Sequence, residues 1–467
     1  MRRAANNKIL QLMGIVGTIV LTMLFSTPAN AAGTNVIASV DAAGTNVIAS
    51  EGAAGTNVIA SADEGGTNVG ASVDEGRTNV GASAGMMWIG GQIRQAAEVL
   101  EECAEEICGS VKEAARDPQR SDKIRTATGK ILSKSDGKWV IPAEGPASDK
   151  EAVIVFAGDI IFERSQNPGI AKIGDNGIRD CFDDETWEIM HDADLLVINN
   201  EFPYTDRGSA TPGKQFTFRC DPETVEWFAD MGTDLAALAN NHIYDYGEEG
   251  AMDTFDTLDG AGIPYIGAGR DLEDAQKTAY YLVNGMSVAI LNATEIERYD
   301  NPDTKEAGED SPGVFRCLYD DDLCDQVRKA KEHADIVIVY VHWGTELMPS
   351  ADGRQYSIAE DLADAGADVI VGSHPHILQN IEYVDGVPVF YSLGNYFFSA
   401  STRDNGVLRI TLDTEEAKVK SLQFIPMVQQ QGVKTLDGSD KERVLDTMRS
   451  LSPGVSIDDD GFFEESP

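Results

Sequence analysis

Val369-Ile370-Val371-Gly372-Ser373-His374-Pro375-His376 joins a short apolar run to a glycine and two histidines. Such a run reads as a buried strand that delivers polar side chains at its carboxyl end, which is where open α/β sheets bind ligands. Residues two apart share a face of an extended chain, so the spacing is expected to present both imidazoles on one side.

The same arrangement recurs on either side of this stretch. Further apolar runs occur at 153–156, 195–198, 235–238, 288–291, 336–341 and 389–391, and helical patterns lie at 221–231, Gly247–Ala261, 321–333 and 354–365. Strands alternating with helices predict an α/β sheet with several parallel connections. Alternation at 407–412 and 419–426 predicts closing antiparallel strands. The polar residues that follow the runs form one chemical set: Gly158-Asp159, Asn199-Asn200-Glu201, Asn240-Asn241-His242, His342-Trp343-Gly344 with Glu346, and then His374 and His376.

Carboxylates, an amide oxygen and imidazoles are ligands for Mn, Fe(II), Zn, Mg or Ca. Asp159, Glu201, Asn241, His342, His374 and His376 are therefore candidate metal ligands, with His242 beside them. Four of the six histidines sit at strand ends, whereas His191 and His333 fall in helical stretches and are expected to be structural. Gly158, Gly344 and Gly372 are expected to let the backbone approach ligand or substrate.

In this order the motifs resemble the bacterial capsule-synthesis protein CapA family, also called the poly-γ-glutamate synthesis family. Its domain resembles the calcineurin-like metallophosphoesterase fold. The matching stretches are Phe156-Ala157-Gly158-Asp159, Asn199-Asn200-Glu201, Ala239-Asn240-Asn241-His242 with Asp245-Tyr246-Gly247, Val341-His342-Trp343-Gly344, Gly372-Ser373-His374-Pro375-His376 and Tyr391-Ser392-Leu393-Gly394-Asn395. The resemblance implies a layered α/β/β/α sandwich over about 150–430.

It also implies roles for single residues. Asp159 matches the first ligand, Glu201 stands where a bridging Asp usually lies, and Asn241 matches the amide ligand. His342 and His374 would complete one metal position, and His376 would join Asp159 and Glu201 at the other. His242, with Asp159, would be catalytic, the imidazole protonating the leaving group or steadying the scissile group. Asn200, Asn240, Glu346 and Asn395 are expected to face substrate. One position departs from the phosphoesterase pattern, which places a histidine two residues after the first Asp; here it is Ile161. Either Glu163 or a water takes its place, or the site holds one ion instead of two.

The implied function is synthesis or export of an anionic capsular polymer of the poly-γ-glutamate type by metal-assisted hydrolysis or transfer. The alternative is a non-catalytic, metal-dependent polymer-binding component of a capsule export complex. Expected partners are an anionic polymer or phosphoester and membrane capsule-synthesis proteins.

Composition fits this frame. The 467 residues carry a formal charge of −41, with no basic patch for nucleic acid or anionic membrane surfaces. Bound metal can still hold a polyanion locally. The N-terminus runs basic, apolar, then small (Ala29-Asn30-Ala31), the order of a signal peptide over 1–31. Export to the cell exterior or surface is expected, with an uncleaved N-terminal tether as the alternative. Five Gly-Thr-Asn-Val-like units at a period of eleven fill 32–84 and read as a flexible stalk, with a short β-solenoid or adhesive array as the alternative. A helix at 89–112 and a polar connector to 145 follow, and 431–467 reads as an acidic tail.

An even count of six cysteines permits disulfides in an exported chain. Within one helix the Cα atoms of Cys103 and Cys108 would lie roughly 8 to 9 Å apart, beyond disulfide reach. Cys317 with Cys324, or Cys181 with Cys220, is freer.

Overall fold

The computed structural model describes residues 150–296, 304–398 and 401–467, together with the backbone of six strands between 34 and 141. The expected signal segment, the helix at 89–112 and Cys103 and Cys108 lie outside the described residues. The chain divides into two compact units, Met1–Arg120 and Ser121–Pro467.

In the first unit Thr34–Val40, Thr45–Glu51 and Asn57–Ala60 pair as an antiparallel sheet, with Val36 opposite Ala49 and Val47 opposite Ala60. Where the sequence favours a flexible stalk, three of the five repeats contain these strands, and the other two lie outside the described residues. Val and Ile in each of these strands suit an extended chain.

The second unit is built on two sheets. The first runs Tyr265–Ile266, Leu235–Ala237, Leu195–Asn200, Glu151–Ile160, Arg403–Asp413, Lys418–Gln429, Phe462–Glu465 and Val455–Ile457. The second runs Ile381–Val384, Val387–Phe390, Val369–Ser373, Ile336–His342, Met286–Thr294, Ala279–Val283, Lys138–Ile141, Ile131–Ser135 and Lys123–Arg125. Alternation along the strands assigns the layers. Ile154 and Phe156 face a shared core with Tyr281, Ile290, Ile338 and Tyr340 of the other sheet. Val155 and Ala157 turn the other way onto Phe228, Phe255 and Leu258 of the helices Val225–Asp230 and Gly247–Ala261. Val337, Val339 and Val341 likewise turn outward onto Leu323, Val327, Ile358 and Leu362 of Asp321–Lys331 and Gly353–Ala365. The order is helix, sheet, sheet, helix, so the layered α/β/β/α sandwich is the observed architecture. Between the sheets Phe156 meets Tyr340 edge-on at 5.4 Å, and the Tyr340 hydroxyl donates to Ala157 O at 2.8 Å.

Register is set by an aspartate just before each of four strands. Asp194, Asp234, Asp335 and Asp368 accept from the backbone N–H of Val153, Leu196, Ser287 and Val337 on the neighbouring strand, at 2.8–2.9 Å. Each carboxylate also satisfies a donor at the strand entrance that would otherwise be buried without a partner. The helices stop where chemistry predicts. Asp352 and Gln355 form a capping box ahead of Gly353–Ala365, and Gly366 and Gly262 end their helices at φ +104 and +71.

Two boundaries differ from expectation. The connector before 145 contributes three strands, of which Lys138–Ile141 pairs parallel with Ala279–Val283. The segment 431–467 is not a tail: Val444, Leu445 and Met448 of the helix Gly438–Leu451 are buried in the intersheet core, and the hairpin after it pairs with Lys418–Gln429. Strands of three to five residues leave no readable period, which hides the strands of both regions in the sequence. Asp458, Asp459 and Asp460 form the exposed hairpin turn, where Asp458 Oδ1 accepts from the Asp460 and Phe462 N–H groups. Cys181, Cys220, Cys317 and Cys324 are all buried free thiols. No described helix is long and apolar enough to cross a membrane.

Candidate metal centre

The carboxyl ends of both sheets meet at one rim. Glu151–Ile160 delivers Asp159, and its partner Leu195–Asn200 leads directly into Glu201, with Asp159 opposite Asn199. Leu235–Ala237 leads into Asn240, Asn241 and His242. From the other sheet, His342 pairs with Ser373, and His374 and His376 follow.

Two groups of ligand atoms result, Glu201 with His342 and His374, and Asp159 with Glu201 and His376, each with all atoms within 4.8 Å of one another. Glu201 belongs to both. In the first group His342 Nε2 lies 2.8 Å from Asn241 Oδ1, 3.1 Å from His374 Nδ1 and 3.8 Å from Glu201 Oε1. His342 Nδ1 lies 3.0 Å from Ser373 Oγ, and the tautomer with its proton on Nδ1 presents the Nε2 lone pair to these groups. With Glu201 ionised and the His374 proton on Nε2, this form gathers four electron-pair donors at one point. Glu201 Oε1 is also buried with no hydrogen-bond partner among the described residues. A divalent cation resolves both features, and the N/O donor set suits Zn, Mn or Fe.

In the second group His376 Nδ1 lies 3.1 Å from Asp159 Oδ2 and 2.8 Å from Asn395 Oδ1. The two histidines reach different groups, not one side of a strand. The strand ends at Ser373, and His374 and His376 adopt φ of +98 and +61, so the backbone turns between them. Left-handed backbone at non-glycine residues costs of order 1–3 kcal/mol each and persists where the surroundings over-determine it.

Burial sets the charge states. Glu201 is pushed well above the usual carboxylate range by desolvation, then by the charge of Asp159 and their hydrogen bond, then by Glu346. His342 is driven well below its ordinary value by desolvation and the neighbouring His374 and His376. A neutral imidazole is the form that ligates. His242 is also lowered, chiefly by burial, although Asp245 opposes the shift. Its Nδ1 donates to Asp245 Oδ2 at 2.7 Å, and Nε2 faces Glu201 Oε1 at 4.0 Å. Phe218 lies 4.1 Å from the His242 ring and Phe398 4.6 Å from the His376 ring, limiting water access.

The four residues expected to face substrate separate. Asn240 is buried and its amide is consumed by Asn199 Oδ1, Asn200 O and the backbone N–H of His242 and Ile243, so it shapes the loop. Asn200 is buried and donates to Phe202 O. Glu346 is exposed beyond the His342 strand, and Asn395 is buried against His376. Glu163 is in neither ligand group: its carboxylate takes the Ser165 hydroxyl and the Arg219 N–H. Gly158 and Gly372 make room for neighbouring backbone and not for a ligand, since a Cβ would collide with Gly394 O and Tyr391 O respectively. Gly344, at φ +85, lies against the Gln355 side chain. His191 bonds Trp187 O and Asp230 O and stacks on Trp187, and His333 is exposed after its helix.

Four supporting residues were not singled out by the sequence. Asn199 Nδ2 donates to Asp159 Oδ1 at 2.8 Å and Glu201 Oε2 at 3.1 Å, tying the two carboxylates together. Ser373 orients His342, and Asp245 orients His242. Lys214, nearly buried, donates to Asp245 Oδ1 at 2.6 Å and to the Asn241 carbonyl. Asn199, Ser373 and Asp245 lie inside the matching motifs, which was the available signal. Lys214 sits on a separate loop and had none.

Comparison with known families decides the kinship. The family model described as bacterial capsule synthesis protein PGA_cap matches residues 153–400, just over half the chain. The chain belongs to the PGA_cap family. Among its relatives, the PGA biosynthesis protein CapA of Bacillus subtilis is 33% identical over 284 residues, covering 59% of this chain and 72% of that one. The capsule biosynthesis protein CapA of Bacillus anthracis is 37% identical over 218 residues, covering 45% and 51%. A solved phosphatase from Mycoplasma pneumoniae aligns with a TM-score of 0.39 and 12% identity, over 60% of this chain and 94% of that one. The PGA_cap match spans every strand-end residue of both ligand groups.

Proposed function

We propose that the protein acts, outside the cytoplasm, in synthesis or export of an anionic polymer of the poly-γ-glutamate type, through metal-assisted hydrolysis or transfer at this site. The polymer reading is supported by membership in the PGA_cap family and by the names of its CapA relatives. The chemical reading is carried by one observation: Glu201, a buried carboxylate common to two ligand groups, lies beside the His242–Asp245 pair.

Bound divalent cations supply Lewis acidity and an acidified water, and gather the carboxylates of a polyanion. Asp159, Glu201, Asn241, His342, His374 and His376 would hold them. The chain's other residues position and move protons. Asp245 fixes His242 through Nδ1, so Nε2 is the nitrogen that passes a proton to the leaving group. An anionic substrate adds negative charge that opposes the downward shift of this imidazole, so proton uptake at Nε2 accompanies binding. With a net charge of −41 the chain repels a polyanion at long range, which leaves the cation site as the local attraction.

The test uses the purified full chain loaded with Mn or Zn. Cleavage of poly-γ-glutamate and of a phosphodiester is measured for wild type, Asp159→Ala and His374→Ala. Both variants are expected to lose turnover, and equal activity in all three rejects the reading. Saturable polymer binding without turnover would assign the protein to the non-catalytic role. Mass spectrometry of the exported chain is expected to place its first residue at 32.

A further inference from the structure

We propose that Asn395 is a metal ligand, its Oδ1 completing the position shared by Asp159, Glu201 and His376 that Ile161 leaves one ligand short. The inference rests on the two-cation reading above and assigns Asn395 to the cation instead of substrate.

Ile161 is fully buried in the apolar core on the helix side of the first sheet, beside Phe162, Phe202 and Phe228. A side chain that offers no donor atom leaves the place of the family pattern's histidine empty. Glu163 does not fill it, since its carboxylate is engaged by Ser165 and the Arg219 N–H. Asn395 comes from the opposite direction in the chain. Its short strand Asn395–Phe397 runs parallel to Glu151–Ile160 and sets Asn395 opposite Asp159. The Asp159 N–H donates to Gly394 O at 3.2 Å, and Asn405 Nδ2 donates to the Asn395 carbonyl, so the backbone is held on both sides. The side chain is 2% exposed.

The donor atoms themselves point to a cation. Asn395 Oδ1 and Asp159 Oδ2 both approach one nitrogen, His376 Nδ1, at 2.8 and 3.1 Å. A single N–H has one proton to divide between those two oxygens. A cation bound by the nitrogen and both oxygens satisfies all three, and an amide oxygen is an accepted ligand for Mn, Mg or Ca. The second group then gains a fourth protein ligand, matching the first, where Asn241 Oδ1 stands in the same relation to His342 Nε2 at 2.8 Å. Each cation position would hold one amide oxygen, and Glu201 would be common to both.

The full chain is stripped with a chelator and retitrated with Mn(II). Stoichiometry is read by elemental analysis, and the spin coupling of a paired site by electron paramagnetic resonance. Wild type is expected to bind two coupled ions. Asn395→Ala is expected to keep one ion at wild-type affinity and to bind the second about 10- to 100-fold more weakly, with the coupling lost. Asn395→Asp, which keeps an oxygen at the same place, is expected to keep both ions. Two coupled ions at wild-type affinity in Asn395→Ala would overturn the ligand role and leave the two-metal reading intact. Loss of the second ion in both variants, with unchanged melting of the metal-free proteins, would overturn it as well, because the oxygen would not be the group that matters. Wild type binding one ion or none would remove the two-metal reading and this inference together.

Discussion

The two ligand groups share Glu201 yet differ in how they are held. The Glu201, His342 and His374 group is buried throughout, with Ser373 Oγ against Nδ1 of His342 and Asn241 Oδ1 against its Nε2. The Asp159, Glu201 and His376 group opens toward solvent through His376, whose side chain is 15% exposed. A desolvated, pre-oriented set binds its ion tightly and exchanges it slowly, while the more open set retains the position where water or substrate enters. Under the function proposed above, the first position would anchor an ion and the second would be the one open to substrate.

The sharpest way to break this comparison is to remove what the groups share. Glu201→Ala is expected to lose both ions, with affinity falling by more than the roughly 100-fold typical of supporting residues, as read by elemental analysis. His342→Ala should release the first ion and His376→Ala the second; release of both ions by either variant would show that the groups are not separable. Asp245→Asn leaves the ligands untouched and is expected to lower turnover about 10- to 100-fold with unchanged metal content.

Protons sharpen the comparison further. Glu201 must lose its proton before it can bridge, and its pKa lies well above 4.5 in the metal-free fold. Affinity should therefore rise by up to about tenfold per pH unit below that raised pKa and level off above it, as calorimetric titration can measure. In the metal-free protein the same shift makes Glu201 favour folding below pH 4.5, a contribution lost as pH rises through the raised pKa. His342 works in the opposite sense: held neutral, it favours folding above pH 6.5, and this is lost as pH falls through its lowered pKa. The smallest effect is expected from Ser373→Ala, about tenfold in affinity for the first ion only, because Ser373 touches His342 through Nδ1 and not through the ligating Nε2.

Much of the fold was legible because apolar runs ended in unusual polar residues. The runs at 336–341 and 369–371 became Ile336–His342 and Val369–Ser373, and the helix Gly247–Ala261 kept its expected bounds. The strands at 123–141 and the closing hairpin were hidden by their brevity, and the helix Gly438–Leu451 by its few apolar residues, of which Val444, Leu445 and Met448 are buried. At the site, the ligand types were readable and their partition was not. Nothing in the spacing of His374 and His376 signals a positive φ at each, and it is this turn that sends one imidazole to each group. Asn199 and Asp245 lie inside the matching motifs, but their roles show only in their hydrogen bonds to Asp159, Glu201 and His242.

The missing side chain at Gly158 has a mechanical consequence. With the carbonyl of Gly394 lodged in the space a Cβ would occupy, the stretches carrying Asp159 and Asn395 cannot slide or part independently. Displacing either one drags the other, so the second cation position should lose its shape all at once and not ligand by ligand.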